Sequence, residues 1–134
     1  MTEFIEAPDV ETVAKQVIST YPLDDKARDA KIVYLFTLEK KPGHYGKIMR
    51  PTGPWRYLSN YDYVVLIHKT SWESFTDTQK QALVYHELRH ITHRLTKEQK
   101  IIWGLRDHDI EEFFEVIKNF GNWSPALQTL VGLK

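Results

Sequence analysis

The segment His86-Glu87-Leu88-Arg89-His90 constrains this chain more than any other feature, because it places two imidazoles four residues apart. On a helix, such residues lie on the same face one turn apart, so both rings can reach a single metal ion. Zinc accepts imidazole nitrogens, and a glutamate directly after the first histidine can reach a water at the ion without binding the ion itself. The pattern predicts a zinc site at His86 and His90, with Glu87 as the general base.

A capped helix is expected to carry this motif. Thr76 and Gln79 have the spacing of a capping box, in which two side chains satisfy free amides at the start of a helix. Asp77 adds negative charge to the first turn, where the helix dipole favours it. We expect the helix to continue to about Arg94. An apolar stripe lies nearly opposite the two histidines and is expected to face the core: Val84, Leu88, Ile91 and Leu95.

The third zinc ligand is sought downstream, because a catalytic zinc ion usually takes three protein ligands and leaves one position for water. His108 lies just before a further predicted helix that begins near Asp109 and stops at Gly121, and it is the main candidate. Glu111 or Glu112 can serve instead, giving a site of two histidines and one carboxylate. Acidic residues are also expected in a first helical turn without any metal.

The other polar residues near the motif have expected roles outside direct zinc binding. Asp107 or Asp109 can orient a ligand imidazole through a hydrogen bond. His93 is expected to be a solvent-facing or helix C-terminal cation, because it lies too far along the helix axis from His86 to share its ion. His44 and His68 are isolated, and a loop or packing role is expected for both.

The remaining segments predict an α+β domain. Residues 31–39 (KIVYLFTLE) and 61–69 (YDYVVLIHK) are rich in β-branched and aromatic residues and predict two strands with apolar side chains on both faces, the second of them central. Residues 47–50 predict a short edge strand. A first helix is expected from Pro8 to Tyr21, and a turn or short helix within residues 24–30. We expect a small mixed or antiparallel sheet packed against the long motif-bearing helix and further helices.

Composition limits the chemistry and the partners. The chain has 134 residues, which fits a single domain over residues 1–134, and it has no cysteine, so a metal ion must be held by His, Asp or Glu. Lys plus Arg and Asp plus Glu number 18 each, and such a neutral chain is not an evident nucleic-acid binder. No segment approaches the roughly 18 apolar residues of a membrane span, and the N-terminus lacks a secretory signal. We expect a cytoplasmic protein that does not enter a membrane.

The runs YVVLIHKTSWESFTDTQKQALVYHELRHI and LRDHDIEEFFEVI resemble the putative phage metallopeptidase family and, more distantly, SprT-like proteases. The shared pattern comprises a hydrophobic strand, a W-x-x-(F/L) segment with a helix cap, the HEL-x-H helix and a histidine that opens an amphipathic helix. The similarity extends over Tyr61 to Phe120. It implies a minimal zincin-like fold and one zinc ion per chain, held by His86, His90 and His108. It also implies that Glu87 is catalytic, and that the chain acts in the cytoplasm of a host cell if a phage encodes it.

The chain departs from the SprT-like pattern in one respect. Those proteases often carry a cysteine-rich zinc ribbon after this domain, and this chain has no cysteine. Because the chain is also neutral, we do not expect it to share their DNA-linked substrates.

Three functions remain open at this point. The first is a peptidase that cleaves a protein or peptide substrate with a water activated by zinc and Glu87. The second is an interaction or inhibitor protein on a zincin scaffold, with structural zinc and no turnover. The third is a metal-free helical interaction module in which the motif is accidental. Glu87 favours the first, because a purely structural site does not need a base.

For the oxyanion donor and for the substrate-binding rim, the sequence offers several candidates. A hydrogen-bond donor is needed to stabilise the tetrahedral oxyanion, and the candidates are Tyr61, Tyr63, Tyr85, Arg89 and Arg106. Residues 43–60 contain a concentration of glycine, proline and aromatic residues and are a candidate rim for an extended substrate. The alternative is an irregular connector whose Trp55 and Tyr57 pack onto the core.

Overall fold

The computed structural model describes residues 3–39 and 45–106. Its elements, in chain order, are β1 (Phe4–Glu6), α1 (Pro8–Thr20), β2 (Ile32–Thr37), β3 (Gly46–Met49), α2 (Pro54–Ser59), β4 (Tyr63–His68), α3 (Lys69–Ser74), α4 (Asp77–Leu88), β5 (Ile91–Leu95) and β6 (Ile101–Leu105). A single 3₁₀ turn, Ala27–Asp29, lies between α1 and β2. The predicted α+β class is confirmed. In the part of the chain described, no helix is long and apolar enough to cross a membrane.

Four strands form a mixed sheet in the order β1-β2-β4-β3. The inner strands β2 and β4 run parallel, while β1 and β3 pair antiparallel with them on the two edges. The predictions of a central strand at residues 61–69 and of an edge strand at residues 47–50 are therefore confirmed. Strands β5 and β6 form a separate antiparallel hairpin.

Helices α1 and α4 cover one face of this sheet. Alternate residues of β2 and β4 face the helices, and their pairing places Tyr34 beside Val65 and Phe36 beside Ile67. Helix α1 begins at Pro8, a residue whose fixed φ suits the first helical position. Both helices contribute apolar side chains to the core: Val10, Ala14 and Val17 from α1, and Leu83, Val84 and Leu88 from α4.

The predicted cap of the motif-bearing helix is confirmed. The hydroxyl oxygen of Thr76 accepts a hydrogen bond from the main-chain N–H of Gln79 at 3.2 Å. In return, the side-chain oxygen of Gln79 accepts one from the main-chain N–H of Thr76 at 2.9 Å. The two bonds satisfy two amides that would otherwise lack partners and fix where α4 begins.

The far end of this helix differs from the prediction. Helix α4 ends at Leu88 instead of about Arg94, and the residues that follow form β5. Ile91 and Leu95 continue the apolar stripe of the helix, but residues 91, 93 and 95 also share one face of a strand. Pairing with β6 selects the strand over the helix, since Ile91 pairs with Leu105 and each residue up to Leu95 has a partner.

His68 has the expected packing role. Its side chain is buried, and its Nε2 lies 2.6 Å from the carbonyl oxygen of Glu39. Because a carbonyl oxygen only accepts, Nε2 carries the proton, and Nδ1 accepts from the hydroxyl of Ser71 at 2.6 Å. His68 thus joins the end of β4 to the first turn of α3.

Tyr63 links the sheet to the hairpin, and its ionisation provides a pH test of the fold. Its hydroxyl donates to the carbonyl oxygen of Gly104 at 2.6 Å, and burial raises the pKa of Tyr63 to about 12. An unfolded tyrosine has a pKa near 10. The contribution of the neutral phenol to stability is therefore complete below about pH 10 and declines as the pH rises toward 12.

We predict that Tyr63→Phe lowers the free energy of unfolding by about 1 kcal/mol at pH 7, through loss of this hydrogen bond. The difference from the wild type should shrink between about pH 10 and 12, because the wild type then loses its own contribution. Urea unfolding at several pH values measures both quantities. Tyr57→Phe, at a tyrosine that is 86% exposed, is the matched control and should follow the wild type. A Tyr63→Phe difference that stays constant with pH would contradict this account.

Candidate metal centre

The last turn of α4 brings three of the predicted site residues together. His86 and Glu87 lie inside the helix, while His90 follows its end and leads into β5. The ring centroids of His86 and His90 are 5.5 Å apart. One ligand atom from each of His86, Glu87 and His90 lies within 4.8 Å of the other two. The spacing of one helical turn is thus retained although the helix stops within the motif.

The orientation of His90 is fixed by the residue that follows β6. The Nδ1 atom of His90 lies 2.6 Å from the main-chain oxygen of Arg106. Since that oxygen can only accept, Nδ1 carries the proton and Nε2 presents its lone pair. A ligand imidazole that donates its second nitrogen to a carbonyl is the usual arrangement around protein-bound metal ions. The sequence indicated Arg106 only as a possible oxyanion donor, so this main-chain role was missed.

Glu87 lies beneath the edge strand β3. It is only 5% exposed, and a Cβ atom placed on Gly46 would be 3.3 Å from its Oε2 atom. Two imidazoles and a neighbouring carboxylate form a set of nitrogen and oxygen donors that fits a zinc ion. The arrangement can hold a cation and keep a proton acceptor beside it.

The predictions for the third ligand lie outside the described residues. This applies to His108, Glu111 and Glu112, as well as to Asp107 and Asp109. It applies equally to the predicted helix from Asp109 to Gly121 and to His44. These remain predictions.

Tyr85 and Arg89, two of the candidate oxyanion donors, contact the segment that follows α1. The hydroxyl of Tyr85 donates to the carbonyl oxygen of Pro22 at 2.8 Å, and Arg89 donates to the same oxygen at 3.3 Å. The ring of Tyr85 also stacks on that of Tyr21 at 5.1 Å. These contacts anchor the end of α4, so both side chains have a structural role.

The expectation for His93 is wrong. His93 lies on β5, its side chain is 15% exposed, and its Nδ1 is 2.7 Å and 2.8 Å from the two carboxylate oxygens of Asp24. The strand period turns this residue inward with Ile91, whereas a continued helix would have left it outside. Asp24, Asp25 and His93 also lie close enough to hold an ion, but the side chain of Asp25 is 84% exposed. The pair ties the segment after α1 to the hairpin.

The candidate substrate rim contains a strand and a helix. Residues 46–49 form the edge strand β3, and residues 54–59 form α2, which the sequence did not indicate. Trp55 is 72% exposed and Tyr57 is 86% exposed, so the alternative in which they pack onto the core is wrong.

The comparison with known proteins yields one match. A family model described as putative phage metallopeptidase matches residues 2–133, which include the whole site described above. No curated protein and no solved structure gives a significant match.

We predict that His86→Ala and His90→Ala each abolish stoichiometric zinc binding, because each removes one of the two ligand imidazoles of a single ion. The measurement is elemental analysis after chelator treatment, reloading with zinc and gel filtration. The wild type should retain about one zinc per chain and unfold at a higher temperature with zinc than without it. His93→Ala is the control and should retain zinc. Zinc loss in His93→Ala with retention in His86→Ala would place the ion at Asp24 and His93 instead.

Proposed function

Because the chain belongs to the putative phage metallopeptidase family, we propose that it hydrolyses peptide bonds with a zinc ion held by His86 and His90. The observation that carries this proposal is the cluster of His86, Glu87 and His90, with ligand atoms within 4.8 Å of one another. The hydrogen bond from His90 to the Arg106 carbonyl supports it, because that bond leaves Nε2 as the metal-binding atom.

The roles of the chain's own residues follow from their chemistry. When bound, the ion supplies Lewis-acid chemistry, which makes water more acidic and polarises the scissile carbonyl. His86 and His90 hold it through neutral ring nitrogens, so acid should release it. A carboxylate oxygen of Glu87 takes a proton from the attacking water and later transfers it to the leaving amine.

Among the described strands, β3 has a neighbour on one side only, and its outer edge offers a path for the substrate. The main-chain N–H of His68 donates to the oxygen of Tyr45 at 2.8 Å, so these two residues form a hydrogen-bonded pair. The next pair, Gly46 with Ile67, is then a non-hydrogen-bonded one, and the main-chain groups of Gly46 point away from β4. An extended peptide can add to this edge beside Glu87 with little demand on its sequence. We therefore propose an unfolded protein or a peptide as substrate.

A second candidate is an interaction or inhibitor protein with a structural zinc ion and no turnover. The burial of Glu87, which is 5% exposed, favours it, since a structural cluster needs no solvent access. The variant Glu87→Gln separates the two functions, because only a peptidase needs the carboxylate as a base.

We predict that Glu87→Gln lowers the hydrolysis of fluorescein-labelled casein by about 10²-fold or more, because the amide cannot accept the water proton. Zinc content and unfolding temperature should remain those of the wild type. The matched control is Glu73→Gln, which removes an exposed carboxylate that pairs with Lys69 and should keep full activity. Equal hydrolysis by wild type and Glu87→Gln would exclude Glu87 as the base. Loss of zinc in Glu87→Gln would make it a ligand.

The third ligand is tested by three separate variants. We predict that His108→Ala binds zinc more weakly and unfolds at a lower temperature in the presence of zinc, because a native-state ligand is lost. Glu111→Gln and Glu112→Gln should bind zinc like the wild type. Zinc titration monitored by competition with a chelating dye measures the three affinities side by side. If His108→Ala is unchanged and one glutamate variant is weakened, the site uses two histidines and a carboxylate.

A further inference from the structure

Gly46 begins the edge strand directly above the carboxylate of Glu87. Its neighbour Ile48, two residues further along the strand, is buried on the face that α4 covers, so a side chain at position 46 would point to that face as well. A Cβ atom there would lie 2.9 Å from Cδ1 of Ile67, 3.3 Å from Oε2 of Glu87 and 3.3 Å from Cδ1 of Leu83. The space of a side chain is therefore already filled, in part by the carboxylate.

Backbone conformation is not the reason for this glycine. Among the glycines that the structure describes, Gly53 has a positive φ of 56°, and Gly46 does not have one. Any residue could adopt the extended conformation of Gly46. The requirement at this position is steric, and it arises from what lies beneath the strand.

We propose that Gly46 is a positioning residue for Glu87. Without a side chain at position 46, the carboxylate can lie against the main chain of β3, at the point where an extended substrate would pair with the outer edge of this strand. A larger residue would displace the proton-accepting oxygen of Glu87 from the place where the substrate carbonyl is held. Even a small displacement of a reacting group lowers the rate of the reaction considerably. This inference rests on the proposed peptidase function.

Of the three neighbours of an added methyl group, Glu87 is the one whose displacement would lower the hydrolysis rate most. Ile67 is completely buried and Leu83 is 3% exposed, and both are part of the packed core, where movement is restricted. The closest contact is nevertheless with Cδ1 of Ile67. The substitution Ile67→Val removes that single atom, so it separates the contact with the core from the contact with the carboxylate.

The first measurement is urea unfolding of chelator-treated protein, which requires neither zinc nor activity. All variants carry Ile67→Val. We expect Gly46→Ala to lower the unfolding midpoint when residue 87 is glutamate. The loss should be at least halved by Glu87→Asp, because the shorter side chain withdraws the carboxylate from the added methyl group. Equal losses in both backgrounds would show that Gly46 does not hold Glu87 in place and would overturn the inference.

The second measurement is the hydrolysis of labelled casein by the zinc-loaded chain. We expect Gly46→Ala to retain zinc and to lower kcat by about 10-fold, with KM unchanged within twofold, because the base is displaced and the edge remains open. The matched control is Val33→Ile, which adds a methyl group to β2, a strand that β4 separates from β3. It should retain the wild-type kcat.

The outcomes separate this inference from the function on which it rests. If Gly46→Ala keeps full kcat while Glu87→Gln is inactive, the peptidase stands and the positioning role is wrong. If wild-type protein shows no Glu87-dependent hydrolysis, the proposed function fails on that result alone. The unfolding measurements then still decide whether Gly46 holds Glu87 in place.

Discussion

The paired hydrogen bonds between His90 and Arg106 are the interaction on which the candidate centre depends. The main-chain N–H of Arg106 donates to the oxygen of His90 at 2.8 Å, and Nδ1 of His90 donates to the oxygen of Arg106 at 2.6 Å. Together they extend the hairpin ladder by one pair beyond Ile91 and Leu105. One imidazole is thus placed by the helix and the other by the hairpin, so helix and hairpin must both be folded for the two rings to meet.

The segment after α1 supports this junction from the other side. The carbonyl oxygen of Pro22 accepts from Tyr85, in the last turn of α4, and from Arg89, directly after it. Two residues further on, Asp24 holds His93 of the hairpin. These contacts restrict the movement of helix and hairpin relative to each other.

Local sequence patterns predicted the parts of the site that depend on near neighbours. The spacing of His86, Glu87 and His90 needs only one helical turn, and the capping box is likewise local. The end of α4 could not be predicted, because Ile91 and Leu95 fit a helical stripe as well as they fit a strand. Pairing with β6 selects the strand, and that partner is distant in sequence. The contact between Gly46 and Glu87 could not be predicted for the same reason, since only the folded chain places Glu87 beneath Gly46.

Ending the helix within the motif has an electrostatic consequence. The last carbonyl groups of a helix lack intrahelical partners and carry the negative end of its dipole. Because α4 stops at Leu88, that negative end lies at His86 and His90. A cation held by the two imidazoles is favoured there, whereas a helix continuing to Arg94 would have moved the negative end about 1.7 turns away. The early helix end therefore serves the centre twice, by orienting His90 through the hairpin and by adding a field that favours a positive ion.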